Sequence, residues 1–119
     1  MGHWVCSYYD TQNIFIYDSA TIKTGHINYD KVLHKLFPSY FLKGDVVQYP
    51  NIHCQTPGSV DCGVYAIANA VSLRFGLNPE HTIYESIEKL REHLVKIFLS
   101  EIITPFPYIT RTAYEQTNE

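Results

Sequence analysis

Apolar and polar residues alternate unevenly along the chain, and their spacing predicts a short hairpin, a short helix, a third strand and two longer helices. The run His3-Trp4-Val5-Cys6-Ser7-Tyr8-Tyr9 is aromatic and β-branched, Asp10-Thr11-Gln12-Asn13 is turn chemistry, and Ile14-Phe15-Ile16-Tyr17 is a second apolar run. A β-hairpin follows, apolar on both faces and so expected inside a covered sheet. If its register centres on the Asp10–Asn13 turn, His3 and Asp18 lie at the same end of the ladder. Asn28 is a candidate cap for a helix from about Tyr29 to Leu36, with Val32, Leu33 and Leu36 at helical spacing and Pro38 to end it. Asp45-Val46-Val47-Gln48-Tyr49 reads as a third strand stopped by Pro50, and Asn51-Ile52-His53-Cys54 leads into a polar loop beginning at Gln55. From Asp61 or Cys62 to about Phe75 the pattern is helical, with Gly76 placed to close it. Asn78-Pro79-Glu80 is expected to open a second long helix. Ile83, Ile87, Leu90, Leu94, Ile97 and Phe98 form its apolar stripe, opposite Glu85, Glu88, Lys89, Arg91, Glu92 and Lys96. After Pro105-Phe106-Pro107 the chain turns polar, so 1–107 reads as one folded unit and 108–119 as a tail expected to fray. No internal repeat, linker or low-complexity segment interrupts the unit.

Composition narrows this picture. The 119 residues suffice for one core, and 45% hydrophobic content with ten tyrosines marks a folding chain rather than a disordered one. The net charge of −3, without a basic run, gives a nucleic acid nothing to hold. Three cysteines with no CxxC pair do not make a disulfide framework, which points to a reducing compartment and an intracellular location, nucleus or cytoplasm. The first residues show no charged n-region followed by a long apolar stretch, and apolar runs stay far below the ~20 residues a membrane span needs. Met1-Gly2 opens like a myristoylation signal, but Cys6 stands where that signal needs Ser or Thr.

The chemistry gathers around Gln55-Thr-Pro-Gly-Ser-Val-Asp61-Cys62-Gly63-Val64-Tyr65-Ala66, where a turn-rich segment runs into a helix with a cysteine at the junction. A helix start leaves backbone N–H groups unpaired and puts the positive end of the helix dipole beside the first residue, an environment that favours a thiolate. A cysteine nucleophile also needs a base, a group to orient that base, and donors for the oxyanion of the tetrahedral intermediate. His3 is the candidate base, Asp18 the orienting carboxylate on the neighbouring strand, and Gln55 an amide donor beside the Cys62 N–H. Each alone has a plain explanation: a solvated histidine, a turn-forming aspartate, a polar loop glutamine, a buried structural cysteine. Their joint arrangement carries the inference. A zinc site from His53, Cys54 and Cys62 or Cys6 fits no ligand spacing, so neither metal nor cofactor is expected.

These residues resemble a known family. His3-Trp4 opening one strand, Tyr17-Asp18-Ser19 closing the next, and Gln55…Asp61-Cys62-Gly63-Val64-Tyr65-Ala66 are similar to the catalytic half of the ubiquitin-like-protein-specific cysteine proteases, the clan of the SUMO deconjugating enzymes and the adenovirus protease. The resemblance runs on through Leu90-Arg91-Glu92-His93-Leu94 to Thr104-Pro105-Phe106-Pro107. It implies a papain-like α+β fold, with a central β-sheet and the catalytic cysteine at the N-terminus of a buried helix. It implies His3 as base, Asp18 as its partner, Cys62 as nucleophile and Gln55 as oxyanion amide, with Trp4 lining a narrow channel for a Gly-Gly tail. The implied activity is that of a cysteine peptidase or isopeptidase acting on a ubiquitin-like protein of SUMO type or its conjugates, with no nucleic acid or membrane partner.

Three features depart from the family pattern. The interval from His3 to Asp18 is fifteen residues, two shorter than the family leads one to expect, and an even deletion in a hairpin keeps both ends on the same face. Gln55 precedes Cys62 by seven residues rather than six, a spacing closer to the adenovirus-type branch, which leaves Thr56 as the alternative occupant of the oxyanion slot. Only Met1 and Gly2 precede the base, where family members carry a substantial segment that grips the modifier. The chain is therefore expected to be the C-terminal catalytic half, and a non-catalytic remnant that only binds a partner is the competing expectation.

Overall fold

The structure, a computed structural model, describes residues 3–20, 29–38 and 47–112. Strand β1 (Cys6–Tyr9) and strand β2 (Ile14–Tyr17) pair antiparallel, with Cys6 opposite Tyr17 and Tyr9 opposite Ile14. The turn between them is built by Asp10, whose Oδ1 accepts from the backbone N–H groups of Gln12 (2.9 Å) and Asn13 (2.6 Å). Those two donors hold the Asp10 carboxyl below its ordinary range, and Thr11, between Asp10 and Gln12, takes a left-handed backbone at φ 77°.

Helix α1 (Asp30–Leu36) begins one residue later than the sequence predicts, and Asn28, its expected cap, lies outside the described residues. Of the expected strand at 45–49, Asp45 and Val46 lie outside them too. Gln48 makes a single parallel bridge to Phe15, its carbonyl accepting from Ile16 and its N–H donating to Ile14, each at 2.9 Å. Among the described residues the strands thus form two two-stranded sheets, with this one bridge extending the first.

Helix α2 (Cys62–Arg74) starts where the polar loop ends. It closes through Gly76 at φ +75°: the Gly76 N–H reaches the Leu73 carbonyl (3.1 Å) and the Leu77 N–H the Ser72 carbonyl (2.8 Å), the double bond pattern that terminates helices at a left-handed residue. The sequence prediction for the next segment fails. Asn78 does cap, its side chain accepting from the Glu80 N–H, but what it caps is a single 3-10 turn, Pro79–His81. Thr82–Tyr84 then forms strand β3, so Ile83 belongs to a sheet and not to a helical stripe. Helix α3 (Ile87–Ser100) begins at its own cap, Ser86, whose hydroxyl accepts from the Lys89 N–H at 3.2 Å. Tyr108–Thr110, expected in the fraying tail, is strand β4, paired antiparallel with β3. Residues 113–119 lie outside the described part.

Helix α2 stands between two packing units. On one side Tyr65 and Ala68 join Tyr84 of β3, Leu90 of α3 and Phe106 in a buried cluster. On the other, Leu73 packs against Cys6, Tyr17 and Ile52. The second face of the hairpin, Ile14 and Ile16, is covered by Leu33 of α1. The period-2 alternation of β2 therefore sends Ile14 and Ile16 to α1 and Tyr17 toward α2. Along α3 only Leu90 is fully buried, and Phe98, counted in the apolar stripe from the sequence, is 72% exposed. No helix among the described residues is long and apolar enough to cross a membrane.

Candidate active site

The hairpin register sets the site. With Cys6 opposite Tyr17, the chain before β1 and the chain after β2 leave the ladder side by side. There the His3 ring donates from Nε2 to Asp18 Oδ1 at 2.8 Å. The same oxygen accepts from the Ala20 N–H at 2.9 Å, a short turn that fixes the carboxylate before the histidine meets it. A carboxylate only accepts, so Nε2 carries the hydrogen and Nδ1 is left with the lone pair that can take a proton. His3 and Asp18, called together from the sequence, are brought together.

Trp4 and Cys62 are joined through Gly63. A methyl group at Gly63 would stand 3.7 Å from Cγ of Trp4, so the indole lies over the backbone of the residue after Cys62. Trp4, the neighbour of His3 in the chain, therefore meets the first turn of α2 at Gly63, the neighbour of Cys62. Trp4 remains 64% exposed, a large aromatic left open at the mouth of the site. Cys62 itself is half-buried, with its thiol not in a disulfide.

The start of α2 holds a feature the sequence did not reveal. Asp61 occupies the cap position, yet its side chain makes no capping hydrogen bond; it pairs instead with the Arg91 guanidinium of α3. The first N–H groups of α2 are thus left uncovered by the Asp61 side chain, which preserves the donor character of a helix start beside Cys62. Arg91 stood on the polar face of its predicted helix, thirty positions along the chain from Asp61, and nothing between them signals the pairing.

Gln55 is nearly fully buried, while its neighbour Thr56 faces outward and lines a cavity of about 590 Å³ with His53, Cys54, Tyr84 and Arg111. The Gln55 amide is held at both ends. Its Oε1 accepts from the Ser19 hydroxyl at 2.6 Å, and its Nε2 donates to the Ser59 carbonyl at 3.0 Å and the Ser59 hydroxyl at 3.2 Å. Its backbone N–H also donates to the Ser19 carbonyl at 2.8 Å. Ser59 was not singled out from the sequence, and Ser19 was named there only within the Tyr17-Asp18-Ser19 element, without a role.

His53 and Cys54, weighed as metal ligands, have other partners. The His53 Nδ1 accepts from the Tyr84 N–H at 3.0 Å, and the Cys54 thiol points to the Ile52 carbonyl at 3.5 Å. Burial, together with the nearby Arg111, lowers the His53 pKa below its ordinary 6.5. Among the described residues no three His, Cys, Asp or Glu side chains gather as a metal site. Two of the segments that carried the family resemblance also meet: the His93 ring bonds the Thr104 carbonyl at 2.9 Å and stands 4.6 Å from the Phe106 ring.

Compared with protein-family models, with curated proteins and with solved structures, the chain finds no match. The functional reading therefore rests on the residues and their geometry.

Proposed function

We propose that the chain is the catalytic part of a cysteine peptidase or isopeptidase with a papain-like arrangement, acting behind the Gly-Gly tail of a ubiquitin-like modifier of SUMO type inside the cell. The observation that carries this reading is that Trp4 packs over Gly63, the residue after Cys62 at the helix start, while the adjacent His3 is held by Asp18. In the reaction His3 Nδ1 takes the Cys62 proton and Sγ attacks the carbonyl carbon of the terminal glycine. The helix-start N–H groups and the Gln55 amide stabilise the resulting oxyanion. Collapse expels the amine, which receives the proton from His3 and leaves a thioester on Cys62. Water, deprotonated by His3, then attacks the thioester; the carboxylate leaves and the thiol is restored. Trp4, exposed beside Gly63, fits a wall that admits only a residue without a side chain.

The competing reading, a module that binds a partner without cleaving it, is favoured by one observation: both Nε2 contacts of Gln55 go to Ser59, so its amide must turn from Ser59 to meet an oxyanion. Electrophilic probes built on ubiquitin and on SUMO, each ending in Gly-Gly, separate the two. The enzyme reading expects the folded chain to be labelled, Cys62→Ser to be inert, and Cys6→Ser and Cys54→Ser to be labelled still. Binding of the modifiers without labelling gives the binding module. On the enzyme reading Gln55→Ala lowers turnover roughly 10²-fold at nearly constant KM, and a change under threefold removes Gln55 from the oxyanion role.

A further inference from the structure

We propose that Ser19 is a positioning residue that sets the Gln55 amide for catalysis, so that one three-residue turn, Asp18-Ser19-Ala20, aligns both the base and the oxyanion donor. This inference rests on the cysteine-peptidase reading and extends it to a residue with no role in that reading so far.

The turn itself is fixed by the bond from the Ala20 N–H to Asp18 Oδ1. That oxygen also holds the His3 ring. One residue along, Ser19 is 2% exposed and makes two bonds to a single residue: its carbonyl accepts from the Gln55 N–H at 2.8 Å, and its hydroxyl donates to Gln55 Oε1 at 2.6 Å. At the far end of the side chain the Ser59 carbonyl, which can only accept, selects the face of the amide that carries hydrogen. Ser59 thereby marks Nε2 as the donor end, and Ser19, holding Oε1, keeps the amide from flipping end for end when Nε2 exchanges Ser59 for an oxyanion. Without the Ser19 hydroxyl, Oε1 is a buried acceptor with its donor gone, and the amide is freed to rotate or to draw in water. A displacement of about 1 Å in a catalytic group suffices to lose ~10²-fold in rate. Among the described residues the Ser19 hydroxyl bonds Gln55 while the His3 ring bonds Asp18, so loss of the hydroxyl leaves the base's own bond in place and reports on the oxyanion donor.

The test compares Ser19→Ala with the parent chain, and Ser19→Val with Ser19→Thr, two residues of the same shape of which only threonine keeps the hydroxyl. Two readouts are taken on the full chain: turnover of ubiquitin and SUMO carrying a C-terminal Gly-Gly aminomethylcoumarin amide, and hydrogen exchange of the Gln55 side-chain amide by nitrogen-15 NMR. The expected result is a kcat about tenfold or more below the parent for Ser19→Ala at nearly constant KM. Ser19→Val should fall below Ser19→Thr by a similar factor, and Gln55 Nε2 exchange should quicken at least tenfold in the two variants without a hydroxyl. A kcat for Ser19→Ala within twofold of the parent, or equal rates for Val and Thr, overturns the proposal. Should the parent chain turn over neither substrate, the peptidase reading fails separately, and unchanged Gln55 exchange in Ser19→Ala then overturns the positioning claim.

Discussion

At the scale of single residues the site is a set of short tethers. Asp18 shows how much one carboxylate oxygen does: it closes its own turn through Ala20 and fixes which ring nitrogen of His3 is free. Asp18→Asn keeps an oxygen of the same reach but can present its amide nitrogen to the ring, which would favour the wrong tautomer. We expect turnover of Gly-Gly amide substrates to fall by at least about 10²-fold with stability little changed. Steady-state kinetics beside a urea melt check it, and near-parental turnover would remove Asp18 from the mechanism. The pair was legible in the sequence because a hairpin with a four-residue turn fixes its own register, so both ends of the ladder follow from the turn alone. The Asp61–Arg91 pair was not, because it joins two helices whose relative placement depends on the core between them.

At the scale of elements, β3 and α3 show where pattern reading gave way. Asn78-Pro79 is a sound helix-start signal, and it does start a turn; the following Thr82-Ile83-Tyr84 prefers an extended strand because Tyr108–Thr110 is there to pair with it. That partner is more than twenty residues away, beyond any local window. Along α3, Leu90 is completely buried against Tyr65, Ala68, Tyr84 and Phe106, whereas Phe98 sits beyond the cluster in solvent. Leu90→Ala should therefore cost about 2–5 kcal/mol and Phe98→Ser less than about 0.5 kcal/mol. Denaturant unfolding of both variants reads the difference, and equal costs would mean that Phe98 packs as tightly as Leu90.

The same sheet supplies a pH dependence. His53 takes the Tyr84 N–H on Nδ1 and is neutral in the folded chain, with its pKa below 6.5, so the unfolded chain binds the proton first. Stability is therefore unaffected by this group above about pH 6.5, falls as pH drops below it, and levels off once the folded pKa is passed. His53→Gln keeps an acceptor without titrating. It should lose less stability than the parent between pH 7.5 and 5, measured by urea unfolding, and an equal loss would assign the effect elsewhere.

Over the described part of the molecule, α2 is the member that the others are built against, since it touches the hairpin through Leu73 and the β3–α3 unit through Tyr65 and Ala68. This position separates the three thiols by environment. Cys6 lies between the hairpin and α2, where burial pushes its thiol up to about 11, while Cys54 and Cys62 are half-buried. Iodoacetamide at pH 7.5 is expected to modify Cys54 and Cys62 in the folded protein and to reach Cys6 only in denaturant. Peptide mapping by mass spectrometry gives the order directly, and early modification of Cys6 would show that the hairpin opens from α2.

The sequence by itself determined what local physics can fix: the hairpin and the meeting of His3 with Asp18, the helix start at Cys62, and its closure at Gly76. Turn geometry, capping and residue period act over a few residues, so they can be read without knowing the rest. Tertiary structure alone decided the pairing of β3 with β4, the Asp61–Arg91 bridge, the seating of Trp4 on Gly63, and the grip of Ser19 and Ser59 on Gln55. Each of these joins segments whose approach is set by packing around α2, and no local pattern encodes the distance between them.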